Sequence, residues 1–168
     1  TISAKEGDII TCETNDMTVT VADGATPYIY IDNAPSWTQG SAPSEATAAS
    51  YPINTTYYTH TLKGGAFAGE MRLVKQGEGI LVLPDVTQLY SGSTDVWAGT
   101  LSFNGTLQNS RLWLNRLTTL DTDGGKFMKG IQADYGAVIR PGGKEAKAAS
   151  LTTDSLILRK MNDRNFSM

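Results

Sequence analysis

Leu73 to Gly105 reads LVKQGEGILVLPDVTQLYSGSTDVWAGTLSFNG, and this stretch decides the fold. Two apolar β-forming runs, Ile80-Leu81-Val82-Leu83 and Thr100-Leu101-Ser102-Phe103, each follow a glycine, Gly79 and Gly99. Between them a polar crossing, Tyr90-Ser91-Gly92-Ser93-Thr94, leads into Asp95-Val96-Trp97. Glycine supplies positive-φ corners, and β-branched and aromatic residues supply extended segments, so the stretch predicts strand, corner, strand.

Outward from this segment the spacing recurs. Val82, Leu101, Leu120, Ile139 and Leu158 stand 19 residues apart, and Gly105, Gly124 and Gly143 follow three of them at one offset. A period near twenty residues marks a solenoid, in which each turn hides its apolar face against its neighbours. The expectation is that these five side chains form one buried column.

The letters also resemble a known family. KQGEGILVL followed by LYSGSTDVWAGTLSFNGTLQNSRLWLN is similar to the autotransporter-associated β-strand repeat. The matching residues are Lys75, Gly77, Gly79, Leu81, Leu83, Tyr90, Gly92, Thr94, Val96, Gly99, Leu101, Asn104, Gly105, Leu107, Asn109 and Ser110. Ser93 departs from the pattern where a second glycine is usual, and later turns keep the spacing without the letters. The resemblance implies a parallel β-helix in a secreted or surface-displayed bacterial protein. Its motif carries no catalytic residue.

The fold expected is therefore all-β: a short right-handed parallel β-helix, with a β-sandwich as the alternative that alternating strands also permit. Residues 1–62 read as an N-terminal β cap or irregular early turns, with a long loop at 33–56, and residues 63–168 as the solenoid repeats. In the first part Asp8 to Cys12, Met17 to Val21 and Tyr28 to Asp32 are the β-like runs. The loop is rich in Pro, Ser, Ala and Thr and holds Trp37. A helical period is suggested only weakly, near Lys144 to Ala149.

Composition narrows the function. The 168 residues suffice for one domain with a sizeable core. With 14 basic and 17 acidic residues the net charge is −3, and no basic run is present, so neither nucleic acid nor an anionic membrane is an expected partner. No apolar run reaches membrane-spanning length, so no membrane insertion is expected. The single Cys12 rules out an internal disulfide framework. A chain starting at Thr1 and ending at Met168 reads as a piece of something longer, with flanking domains as partners.

Catalytic chemistry finds little support. His60 is the one imidazole, it lies in an alternating strand, and a polar surface position is expected for it; no nucleophile-elbow motif accompanies it. Asp95, Asp121, Asp123 and Asp134 lie near the repeat and could cluster as in a polysaccharide lyase or hydrolase, although turns use Asp equally well. Asp121-Thr122-Asp123-Gly124 has a D-x-D-G pattern that makes Asp121 and Asp123 a weak calcium-turn candidate, without the remaining spacing of a calcium loop. No cofactor is otherwise expected.

Aromatics remain. Trp37 in the loop, with Tyr28, Tyr30 and Tyr51 flanking it, could stack on sugar rings; these four are the candidate ligand contacts. Trp97 and Trp113 are expected in or beside the core, although Trp113 alternates with Leu112 and Leu114 in a pattern that points it outward. The reading is a non-catalytic extracellular module of a larger bacterial surface or secreted protein, binding polysaccharide or a cell-surface glycan. A purely structural β-helical spacer and a lyase or hydrolase are the alternatives.

Overall fold

In the computed structural model the described residues are 72–145 and 147–160, with 50–55, 57, 59–64, 66–67 and four strands nearer the N-terminus. Those strands are β1 Ile2–Ala4, β2 Ile9–Cys12, β3 Thr18–Val21 and β4 Tyr28–Ile31. Then come β5 Ser50–Asn54 and β6 Thr59–Gly64. Four regular coils follow: β7 Arg72–Gln76, β8 Ile80–Val82 and β9 Thr87–Gln88; β10 Thr94–Val96, β11 Thr100–Ser102 and β12 Thr106–Leu107; β13 Leu112–Leu114, β14 Thr119–Thr122 and β15 Gly125–Phe127; β16 Ile131–Ala133, β17 Val138–Pro141 and β18 Leu151–Thr153. Strand β19, Leu156–Leu158, opens one more turn.

Each coil contributes one strand to each of three sheets. Sheet 1 runs β1-β3-β6-β8-β11-β14-β17, sheet 2 runs β19-β16-β13-β10-β7-β5-β4-β2, and sheet 3 runs β18-β15-β12-β9. Every pairing among the described strands is parallel. The fold is thus an all-β solenoid; a sandwich would need antiparallel neighbours. Among the described residues the helical structure is one 3-10 turn, Gly143–Glu145, at the edge of the stretch where a helical period was weakly suggested. Strands β1 to β4 join the same two large sheets as the regular coils. Within the stretch 33–56, Ser50–Asn54 forms β5, while residues 33–49 lie outside the described residues.

The core is a set of ladders. In sheet 1, Leu81, Leu101, Leu120 and Ile139 are in register, and the three leucines are fully buried. Sheet 2 supplies Leu112 and Ile131 in one inward column and Val96, Leu114 and Ala133 in the other. Sheet 3 adds Leu107 and Phe127, and Phe127 meets Phe103 edge to face at 6.1 Å. Each fully buried Leu or Phe contributes about 1.5–3 kcal/mol, and stacking lets every coil bury its apolar residues against the next.

Two members of the expected column lie elsewhere. Leu81, not Val82, pairs with Leu101, so the first coil is one residue longer, and Val82 faces outward with Ser102 and Asp121. A one-residue shift reverses the face of every side chain in a strand. Leu158 belongs to sheet 2, opposite Ala133, and is 73% exposed because no described coil covers it. His60 departs from expectation too: it pairs with Leu81 and is buried in the sheet 1 column.

Motif letters have interior roles. Gly99 has φ +67, and a Cβ there would stand 2.4 Å from the Gly79 carbonyl oxygen and 2.5 Å from that of Gly77. Corner rests directly on corner, which only glycine permits. Tyr90 is buried, its hydroxyl shares a hydrogen bond with Thr94, and Thr94 shares one with Ser110 at 2.7 Å. Burial pushes the Tyr90 phenol well above its ordinary range. Lys75, 1% exposed, lies in line with Val96 on the inward side of sheet 2. Its ammonium donates to Thr55 Oγ1 at 2.8 Å, to the Gln76 carbonyl at 3.0 Å and to the Gly77 carbonyl. The lysine of the K-x-G motif thus pins the glycine corner beside it.

Candidate functional site

Because side chains alternate across a strand, the outward positions of sheet 2 are fixed once the inward leucines are known. They form a grid: Arg72, Val74 and Gln76 on β7; Ser93, Asp95 and Trp97 at β10; Arg111, Trp113 and Asn115 at β13; Gly130, Gln132 and Asp134 at β16; Ser155, Ile157 and Arg159 at β19. Register aligns Val74, Asp95, Trp113, Gln132 and Ile157 across the five strands.

The grid is cross-tied between coils. Arg72 Nε donates to Asp95 Oδ2 at 2.5 Å, and its guanidinium carbon lies 6.0 Å from the centroid of the Trp97 ring. That separation is at the outer limit of a cation–π contact. Asp95 is 1% exposed, and its Oδ1 has no hydrogen-bond partner. One coil further, Trp113 Nε1 donates to Asp134 Oδ2 at 3.1 Å, and Arg159 stands 3.8 Å from Asp134 Oδ1. Trp97 and Trp113 remain 48% and 37% exposed. Both were expected in or beside the core, although the alternation of Trp113 with Leu112 and Leu114 pointed it outward; the structure turns both outward, with Val96, Leu112 and Leu114 buried.

Neighbouring strands are about 4.8 Å apart and the rise is about 3.3 Å per residue, so these two indoles arise about 8 Å from each other. Each is held by a partner from an adjacent coil. Two half-exposed indoles on a parallel sheet present apolar faces to solvent with polar side chains around them. The parity of Thr94-Asp95-Val96-Trp97 carried the signal that finds Trp97, and Leu112-Trp113-Leu114 carried it for Trp113.

The other sequence candidates fall as follows. Trp37 lies outside the described residues. Tyr28 and Tyr30 are in β4 and Tyr51 is in β5, so their backbones belong to sheet 2 as well. Tyr51 is in register with Leu73, and Ile31, next to Tyr30, is in register with Ile53.

The carboxylates divide between faces. Asp95 and Asp134 sit on sheet 2 with strand β13 between theirs. Asp121 and Asp123 line a groove of about 380 Å³ outside sheet 1, with Ile80, Val82, Ser102 and Asn104. There Arg140 donates to both Asp121 oxygens, at 2.6 and 2.8 Å, and Lys147 lies 2.9 Å from Asp123 Oδ2. Hydrogen bonding to Asp123 raises the Lys147 pKa above its ordinary value, which keeps that ammonium charged. Cations of this chain therefore already hold the carboxylates of the calcium-turn candidate. Among the described residues no group of three or more His, Cys, Asp or Glu is placed to hold a metal ion.

Fold and site together define a class: a parallel β-solenoid whose sheet 2 carries half-exposed tryptophans on its outer face. Residues 73–103 match the family model of the passenger-associated-transport-repeat. The match and the solenoid around it fit an autotransporter passenger repeat, as the resemblance implied. That family is structural, not catalytic, and its setting is the secreted or surface-displayed bacterial protein. No curated protein and no solved structure matches the chain.

Proposed function

We propose that this chain is a non-catalytic β-helical module of a secreted or surface-displayed bacterial protein, and that it binds carbohydrate on the outer face of sheet 2. The observation that carries this reading is the pair Trp97 and Trp113, half-exposed at 48% and 37% and each held by a residue of a neighbouring coil. An exposed indole costs solvation, and fixing its rotamer in advance removes entropy that binding would otherwise lose. A rod that only separated domains would gain nothing from either.

Tyr28 and Tyr30, on β4 of the same sheet, and Trp37 are proposed as further contacts, whereas Tyr51 holds the register position of the inward Leu73. A second reading, the plain spacer, draws on sheet 1, whose described outward residues include Thr, Ser, Ile and Val beside an ion pair.

Calorimetry and affinity gels against a polysaccharide set test the proposal. If each indole contributes on the order of 1 kcal/mol, as aromatic stacking does, the double variant Trp97→Ala/Trp113→Ala loses affinity ~10-fold or more. Its melting curve should stay close to wild type. Unchanged affinity in the double variant would move the site elsewhere, with Trp37→Ala as the next variant. No binding to any polysaccharide leaves the spacer.

A further inference from the structure

Three arginines stand on the outer grid of sheet 2, and two are committed. Arg72 is held by Asp95, and Arg159 faces Asp134 at 3.8 Å. Arg111 is different: it is exposed and makes no ion pair or side-chain hydrogen bond with the described residues.

Its surroundings keep it open. The backbone carbonyl of Arg111 accepts from Thr94 N at 2.8 Å, and Leu112 N donates to the Gly130 carbonyl at 3.1 Å. Its neighbours across the sheet are therefore Ser93 on one side and Gly130 on the other, the smallest residues of the grid. Gly130 has φ +88, a conformation that favours glycine, and Ser155 Oγ stands 2.3 Å from where its Cβ would be, so position 130 places no side chain beside Arg111. On its own strand Arg111 is two residues from Trp113, on the same face and about 6.6 Å along the chain.

We infer that this face selects carboxylate-bearing sugars, with a pyranose stacked on Trp113 and its carboxylate received by the Arg111 guanidinium. This rests on the glycan-binding reading and adds the ligand's charge. The planar fork of arginine matches a carboxylate through two parallel N–H donors, and a charge-assisted pair is about twice as strong as a neutral hydrogen bond. Although the whole chain carries net charge −3, screening over about 8 Å at physiological salt leaves the local cation in control. Arg72 and Arg159, already neutralised by Asp95 and Asp134, add no competing preference. Uronate polymers and sialylated chains share the required chemistry.

The test titrates the whole chain with polygalacturonate, with the same polymer after carboxyl reduction, and with polysialate. Wild type should bind at least one of the two acidic polymers ~10-fold more tightly than the reduced one, and the preference should shrink at about 0.5 M salt. Whichever acidic polymer is bound identifies the source of the carboxylate. Arg111→Gln should abolish the preference while leaving affinity for the reduced polymer and the melting temperature unchanged, and Arg111→Lys should retain part of it. Equal affinity of wild type for acidic and reduced polymers overturns the inference, as does a preference that survives in Arg111→Gln. If binding then still depends on Trp97 and Trp113, the glycan-binding reading stands without it. Absence of binding to all three polymers and to every other polysaccharide would end both.

Discussion

Sheets 1 and 2 are made by the same coils, and on the inside they are alike: Leu81, Leu101 and Leu120 in one, Leu112, Leu114 and Ile131 in the other, all buried. Outside they diverge. Sheet 1 presents Thr100, Ser102 and Thr119 with the aliphatic Ile80, Val82 and Val138 beside the Arg140–Asp121 pair, whereas sheet 2 presents Trp97, Trp113 and the arginines around them. The inward positions answer to stacking, which every coil must satisfy in the same way. Outward positions carry no such demand, so a costly exposed indole there calls for another explanation than folding.

The strongest way to break that division is a matched pair of truncations. Leu101→Ala should destabilise the chain by about 2–5 kcal/mol in urea unfolding, because the cavity lies between two coils that cannot both collapse into it. Trp113→Ala should cost about 1 kcal/mol or less, the worth of one exposed hydrogen bond and some surface packing. Equal losses would mean that Trp113 is a structural residue and would weaken the case for a binding face.

Lys75 sharpens the comparison, being an inward position of sheet 2 that carries an ionisable group. Desolvation lowers its pKa to about 7 from 10.5, partly opposed by Glu78. Between those values the unfolded chain holds a proton that the folded chain has released, so this group makes stability rise with pH from about 7 to about 10.5. Below about pH 7 the ammonium is charged in both states and its burial cost is fully felt. Urea midpoints taken at about pH 6.5 and about pH 9.5 should differ in wild type and converge in Lys75→Met. A slope that persists in Lys75→Met would assign the pH dependence to another group.

The smallest effect lies at the corner joining sheet 2 to sheet 1. Leu117 has φ 60 and is exposed, a conformation that costs a non-glycine residue about 1–2 kcal/mol and that Asn tolerates better. Leu117→Asn should therefore stabilise by about 0.5 kcal/mol, read as a higher thermal midpoint with affinity for any ligand unchanged. A lower midpoint would show that Leu117 does more at its corner than occupy it.

Much of this was legible in the residues. The 19-residue spacing and the K-x-G-x-G and N-G signatures carried the parallel solenoid, since corner glycines and inward leucines are dictated locally. The spacing failed by one residue at Val82 because the coil from Leu81 to Leu101 is longer, and a period cannot register one insertion without a pairing partner to anchor it. His60 and Lys75 were misread or unread for another reason: polar residues are assigned to solvent by default, and only the stacked interior supplies the partners that let an amine stay buried.

By itself, then, the sequence determined the class of backbone and the faces of its strands, because both follow from short-range rules of turn chemistry and alternation. Tertiary structure alone decided which of the three arginines on the sheet 2 grid are paired with described residues and which is not. Arg72, Arg111 and Arg159 have the same chemistry as letters. What distinguishes them is the neighbouring coil, which brings Asp95 to the first, Ser93 and Gly130 to the second and Asp134 to the third. Those neighbours are a full turn of chain away, where no local rule reaches.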